Sequence, residues 1–153
     1  KNYFLGRWIK HCGWFPDYRQ PQLFRKSRLR YRDELVHESF DVDGRIGYLT
    51  ATALQYPFRD IDHFLAKQER YSDLMARRMV EQGRSFSWHQ LLSHPCFTFL
   101  KMYVGRKGCL DGVPGLILSG LYAYYTFIKY ARFWELQGQA APESNQIAPV
   151  KQG

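Results

Sequence analysis

The sequence predicts an α/β chain, α+β in layout, with short strands in its first third and a mostly helical remainder. Two contrasts carry this reading. In the first third, short apolar runs are broken by Gly13, Pro16, Pro21 and Gly44, the pattern of strands and turns. From Asp60 onward apolar side chains recur every three or four residues, the period of a helix with one buried face. Three parts are expected: 1–58, then a helical region over 59–136, then a disordered tail over 137–153 that is polar and Pro-containing.

In the first part "PQLFRKS" and "RIGYLTATALQY" read as extended segments, with "DVDG" as the turn before the second. The spacing of Ile61, Phe64, Leu65, Tyr71, Leu74, Met75 and Met79 predicts a helix from Asp60 to Gln82. Lys67, Glu69, Arg70, Arg77 and Arg78 form its charged face, Gly83 is its expected C-cap, and another helix should begin near Ser87. "LLSHPCFTFLKMYVGRKGCLDGVPG" is interrupted by Pro95, Gly105, Gly108, Gly112 and Gly115, and leads into the long helical candidate "LILSGLYAYYTFIKYARFWEL". Its uncharged stretch, 113–128, is short of the roughly 20 apolar residues a spanning helix needs. Tyr122, Tyr124, Tyr125 and Trp134, with Lys129 and Arg132 at one end, fit an interfacial helix or an aromatic core helix equally well.

The formal net charge is +8 and 17% of the residues are aromatic. That balance suits anionic lipid, phosphorylated small molecules or nucleic acid, or simply solvated helix faces. No recognition-module signature for RNA or DNA is present, and no nucleic-acid partner is expected. Cys12, Cys96 and Cys109 are scattered, which argues for buried thiols in a reducing compartment over a disulfide framework or zinc site. The chain shows no P-loop, nucleophile elbow or dinucleotide fingerprint. His11 adjoins Cys12, but adjacency in sequence does not make a catalytic dyad.

Three short motifs carry acid or metal chemistry. Asp41-Val42-Asp43 would place both carboxylates on one face of a strand, where they could share a hard cation. Followed by Gly44, it reads equally as a turn. Asp60-Ile61-Asp62 has the same form and suits a helix N-terminus. His37-Glu38 follows the basic run Arg25, Lys26, Arg28, Arg30 and Arg32. There a carboxylate could take a proton from a hydroxyl, an imidazole could ligate a metal, and arginines could hold negative charge.

The stretch "NYFLGRWIKHCGWFPDYRQPQLFRKSRLRYRDELVHESFDVDGRIGYL" resembles the acceptor-side half of a family 2 glycosyltransferase, of the kind that builds lipopolysaccharide core. The resemblance rests on Gly6-Arg7, Gly13-Trp14-Phe15-Pro16-Asp17, Gln22-Leu23-Phe24-Arg25 and Val36-His37-Glu38, in that order and spacing. "YPFRDIDHFLAKQERYSDLMA" and "KGCLDGVPGLILSGLYAYYTFIKYARFWEL" resemble the helical C-terminal region of the same group, so the likeness spans about residues 2–136.

The resemblance implies the C-terminal part of a GT-A fold and an inverting transfer from a nucleotide-sugar donor to a lipid-linked saccharide acceptor. It implies Glu38 as the catalytic base and His37 as its neighbour at the metal or diphosphate. Arg25, Gln22 and Trp14 are the implied acceptor or diphosphate contacts. A divalent metal, Mg²⁺ or Mn²⁺, would be held mainly by an N-terminal half upstream of Asn2. On that expectation the chain is part of a longer enzyme and inactive by itself, and Asp41-Val42-Asp43 is a turn. Gln22 stands where the family commonly has arginine, removing one basic contact, and Gln55 stands where many relatives have histidine. An anionic membrane surface is the expected partner of the basic, Tyr-rich helices, which puts the protein peripherally on the inner face of the cytoplasmic membrane. A non-catalytic membrane-surface module using the same helices is the alternative.

Overall fold

The structure, a computed structural model, describes residues 1–14, 23–32, 40–48 and 51–140. Among these residues it is mixed α/β, with short strands followed by three helices. The chain divides into two compact units: Lys1–Pro16 together with Leu54–Gly153, and Asp17–Ala53. The first part expected from sequence, 1–58, is therefore shared between them.

In the larger unit β1 (Asn2–Phe4) pairs antiparallel with β2 (Arg7–Ile9). Leu5 and Gly6 between them both take positive φ, 47° and 75°, the turn whose twist matches a tight hairpin. The Gln55 backbone bonds both flanks of Asn2: its N–H donates to the Lys1 carbonyl and its carbonyl accepts from Tyr3, each at 2.8 Å. This single bridge is all the β-structure that the described residues of "RIGYLTATALQY" make.

Helix α1 spans Ile61–Glu81. Asp60 caps it, its carboxylate accepting from the His63 N–H at 2.7 Å. At the other end Gly83 has φ +64°, and the N–H groups of Gly83 and Arg84 return to the carbonyls of Val80 and Met79, which closes the last turn in a left-handed cap. Helix α2 spans Gln90–Leu100 and runs on into a π-helical turn at Lys101–Gly105. A 3-10 turn at Gly108–Asp111 then reverses the chain into α3, Val113–Ala140. That helix continues past position 136, where a disordered tail was expected. Gln137 lies inside it, accepting from the Phe86 N–H at 3.1 Å and donating to the Arg84 carbonyl. Residues 141–153 of the expected tail lie outside the described residues.

Helix α3 is the central element, and α1 and α2 both pack against it. One core cluster joins Phe4, Ile9, Cys12, Phe58 and Phe64 to Leu118 of α3. The other joins Ala76 and Met79 of α1 to Tyr130 and Phe133. The β-hairpin and α3 meet where side chains are smallest. A Cβ on Gly108 would strike the Cys12 thiol and the Met102 carbonyl, and one on Gly115 would overlap the Gly108 carbonyl. Asp111 ties the same junction from outside, its two carboxylate oxygens accepting from the N–H groups of Lys10 (3.1 Å) and His11 (2.9 Å).

The smaller unit holds a 3-10 turn, Lys26–Arg28, then β3 (Leu29–Tyr31) paired antiparallel with β4 (Phe40–Val42). The extended reading of "PQLFRKS" gives way here to that 3-10 turn. The turn expected at "DVDG" is likewise displaced: Asp41 and Val42 belong to β4, and only Asp43 and Gly44 follow it. Aromatic edges line the ribbon, Phe24 against Tyr31 and Tyr31 against Phe40.

Candidate functional site

Of the residues singled out in the sequence, Glu38, His37 and Gln22 lie outside the described residues. Arg25 and Trp14 lie within them, in different units. Arg25 is exposed and extended (φ −78°, ψ 125°) just before the 3-10 turn, and its carbonyl accepts from the Arg28 N–H. Exposed Leu23 and Phe24 precede it.

The Asp-x-Asp carboxylates, Asp41 on β4 and Asp43 just after it, are each engaged by an arginine. Arg32 grips Asp41 with two bonds of 3.0 and 2.6 Å, and Arg28 reaches Asp43 at 2.5 Å. The Arg32 guanidinium hydrogen bonds hold the Asp41 carboxyl below its ordinary range. Both pairs are solvent-exposed, so they add little stability, but their geometry explains the alternation of Arg and Asp across the ribbon. Among the described residues no group of three or more His, Cys, Asp or Glu side chains could hold a metal ion. The ligands that the resemblance implies for Mg²⁺ or Mn²⁺, residues upstream of Asn2 and His37, are not among the described residues.

Trp14 lies in a worked environment in the larger unit. Its ring packs against Phe4 and Phe58 on the core side, and the Asn2 side-chain amide donates to its carbonyl at 3.0 Å. Its other side lines an open groove of about 310 Å³ with Cys12, Phe97, Lys101, Arg106 and Tyr122. Arg106 reaches across Gly13, whose carbonyl accepts from it at 3.4 Å. The Lys101 ammonium lies 5.9 Å from the centre of the Phe97 ring.

Cys12 forms the inner wall of this groove. Burial pushes its thiol from 9.0 up to about 11, only partly offset by the Ser119 hydroxyl. It is therefore protonated at neutral pH and is no nucleophile, while the neighbouring His11 uses its backbone N–H on Asp111. Cys96 and Cys109, expected to be buried, are exposed.

A second surface runs along α3. Val113, Leu116, Tyr124, Phe127 and Trp134 are exposed and, at successive spacings of 3, 8, 3 and 7, fall on one side of the helix. Beside them, between α1 and α3, lies a groove of about 670 Å³ lined in part by Leu65, Tyr124 and Trp134. Other aromatics expected at an interface belong to the packing instead. Tyr122 meets Phe64 edge-on, and burial raises the Tyr125 hydroxyl and lowers the Lys129 ammonium. Arg132 is turned inward onto Glu69 (3.0 Å) and Asp73 (3.7 Å). Among the described residues no helix is long and apolar enough to cross a membrane.

Sequence comparison agrees with the resemblance at its broadest level. Over 102 residues, 67% of the chain, the protein is 32% identical to an uncharacterized glycosyltransferase of Rickettsia typhi, covering 35% of that protein. Over 119 residues, 76% of the chain, it is 28% identical to the lipopolysaccharide core biosynthesis glycosyltransferase LpsC of Rhizobium meliloti, covering 44% of it. An uncharacterized glycosyltransferase of Rickettsia prowazekii is 27% identical over 67% of the chain and 35% of its own length. The chain thus spans between a third and a half of the length of these relatives. No family model matches it, and no solved structure does.

Proposed function

We propose that this chain forms the acceptor-side part of an inverting, family 2 glycosyltransferase of GT-A fold that acts in cell-envelope saccharide synthesis. The observation that carries the reading is the similarity to named glycosyltransferases, LpsC among them, over two thirds to three quarters of the chain. In this reading Glu38 takes the proton from an acceptor hydroxyl as its oxygen attacks the anomeric carbon. The glycosidic bond to the nucleoside diphosphate breaks on the opposite face, and the configuration inverts. His37 adjoins the diphosphate, Arg25 and Gln22 shape its pocket or that of the acceptor, and Trp14 offers an aromatic wall to a sugar. A Mg²⁺ or Mn²⁺ ion bound mainly by upstream residues would neutralise the leaving diphosphate.

The acceptor in this reading is a lipid-linked saccharide at the inner face of the cytoplasmic membrane. The exposed stripe of Val113, Leu116, Tyr124, Phe127 and Trp134, on a chain of net charge +8, supports contact with an anionic lipid surface. The same stripe favours the alternative, a membrane-surface module without catalysis.

Sugar transfer by the whole enzyme, from labelled nucleotide-sugars to a membrane lipid extract, separates the two. Glu38→Gln is expected to lower the rate by about 10²–10⁴-fold with liposome binding retained. Transfer at the unsubstituted rate removes Glu38 as the base. Liposome binding with no transfer from any donor moves the protein to the non-catalytic class.

A further inference from the structure

We propose that the groove beneath Trp14 binds one sugar unit carrying an anionic group, a phosphate or a carboxylate, with Lys101 and Arg106 on the charge. The aromatic side of the argument is the lining. Trp14, Phe97 and Tyr122 surround an opening of about 310 Å³, at the lower end of small-ligand sites and suited to a single ring rather than a chain of them. The groove lies within one compact unit.

The cationic side follows from the helix geometry. In an α-helix, residues five apart project about 140° from one another around the axis. The turn at Lys101–Gly105 is π-helical, closed by the Arg106 N–H on the Lys101 carbonyl at 2.8 Å. That wider turn brings the side chains of 101 and 106 toward the same side, and both line the groove. Neither Lys101 nor Arg106 makes an ion pair among the described residues. The nearby carboxylate of Asp111 is committed to the Lys10 and His11 N–H groups. Arg106 is also pre-positioned: it lies over Gly13 so closely that a Cβ there would collide with its side chain. A guanidinium held against Gly13 next to an exposed ammonium suits a tetrahedral or planar anion, the first as a fork and the second as a point charge. The groove's use for an acceptor rests on the glycosyltransferase reading, whereas its ligand chemistry rests on these residues alone.

The test is titration of the full chain, followed by NMR of the Trp14 indole and the 101–106 amides, with four probes: glucose 6-phosphate, glucuronate, glucose and inorganic phosphate. Either anionic sugar is expected to shift Trp14 and the 101–106 amides together, about tenfold or more tightly than glucose or phosphate. The response of one anionic sugar over the other identifies the group. Lys101→Gln, at an exposed position, should weaken that binding several-fold while the rest of the spectrum stays in place. Phosphate binding as tightly as glucose 6-phosphate, with Trp14 unmoved, would overturn the saccharide assignment. Absence of any shift at Trp14 with all four probes would overturn the site. Binding needs no donor sugar, so failure here leaves the transfer reading standing, and loss of transfer leaves the groove standing.

Discussion

Replacing Asp111 with alanine tests whether the junction of hairpin and helices is held as described. Its carboxylate spans about a hundred residues of sequence to two backbone donors, Lys10 N–H at 3.1 Å and His11 N–H at 2.9 Å. Hydrogen bonds to a charged group contribute about 1.5–3 kcal/mol each when dry. Here one donor is exposed and the other half-buried, so water can replace part of what is lost, and about 1 kcal/mol each is the better figure. The alanine variant should therefore lose about 2 kcal/mol, which for a domain of this size is a fall of roughly 4–8 °C in Tm. Asparagine keeps one acceptor and no charge, and should fall between the two. Thermal and urea unfolding, followed by circular dichroism, measure this directly. An alanine variant within about 1 °C of the parent would show that Asp111 decorates the junction and does not hold it.

Other outcomes follow from the same packing. Cys12 keeps its proton more tightly folded than unfolded, about 11 against 9.0. Its contribution is complete below pH 9 and is lost as pH rises toward 11, by about 2–3 kcal/mol. Urea unfolding of Cys12→Ser should show a flatter pH dependence across that window, and an unchanged slope would contradict the burial. Gly115→Ala forces a Cβ into the Gly108 carbonyl and should cost about 1–3 kcal/mol in unfolding free energy, whereas Gly120→Ala, with open space around it, should not destabilise. Tyr124→Ser together with Trp134→Ser should reduce sedimentation with anionic liposomes at least several-fold and leave Tm within a few degrees, because both side chains are exposed. Undiminished liposome binding would remove the α3 stripe as the contact.

How far the sequence could be read depended on the range of the interaction. Helix α1 was readable because every determinant is local: the apolar period, the Asp60 cap and the Gly83 stop lie within 24 residues of one another. The end of α3 was not, because Gln137 is held by Arg84 and Phe86, about fifty residues away. The Asp-x-Asp triplet misled for a related reason. Its arginine partners sit across a strand pair, and neither turn chemistry nor metal chemistry in the triplet announces that. Trp14 stood out through the family resemblance, but its companions Lys101 and Arg106 did not. A spacing of five fits no helical face until a π turn is known, and the glycines at 105 and 108 read only as breaks. Glu38 and His37 rest on the resemblance and on their place after a basic run, and Gln22 on the resemblance alone.

The central place of α3 has a consequence for the order in which this protein is made. The hairpin residues Phe4 and Ile9 and the first turns of α1 leave the ribosome well before their core partner Leu118, which is synthesised more than a hundred residues after Phe4. Met79 likewise waits for Phe133, an interval of about 3–11 s at ordinary elongation rates. Through that interval the nascent chain carries apolar faces with no native cover. Slowing translation ahead of residue 118 should therefore raise chaperone dependence and inclusion-body formation, without any change in the finished sequence.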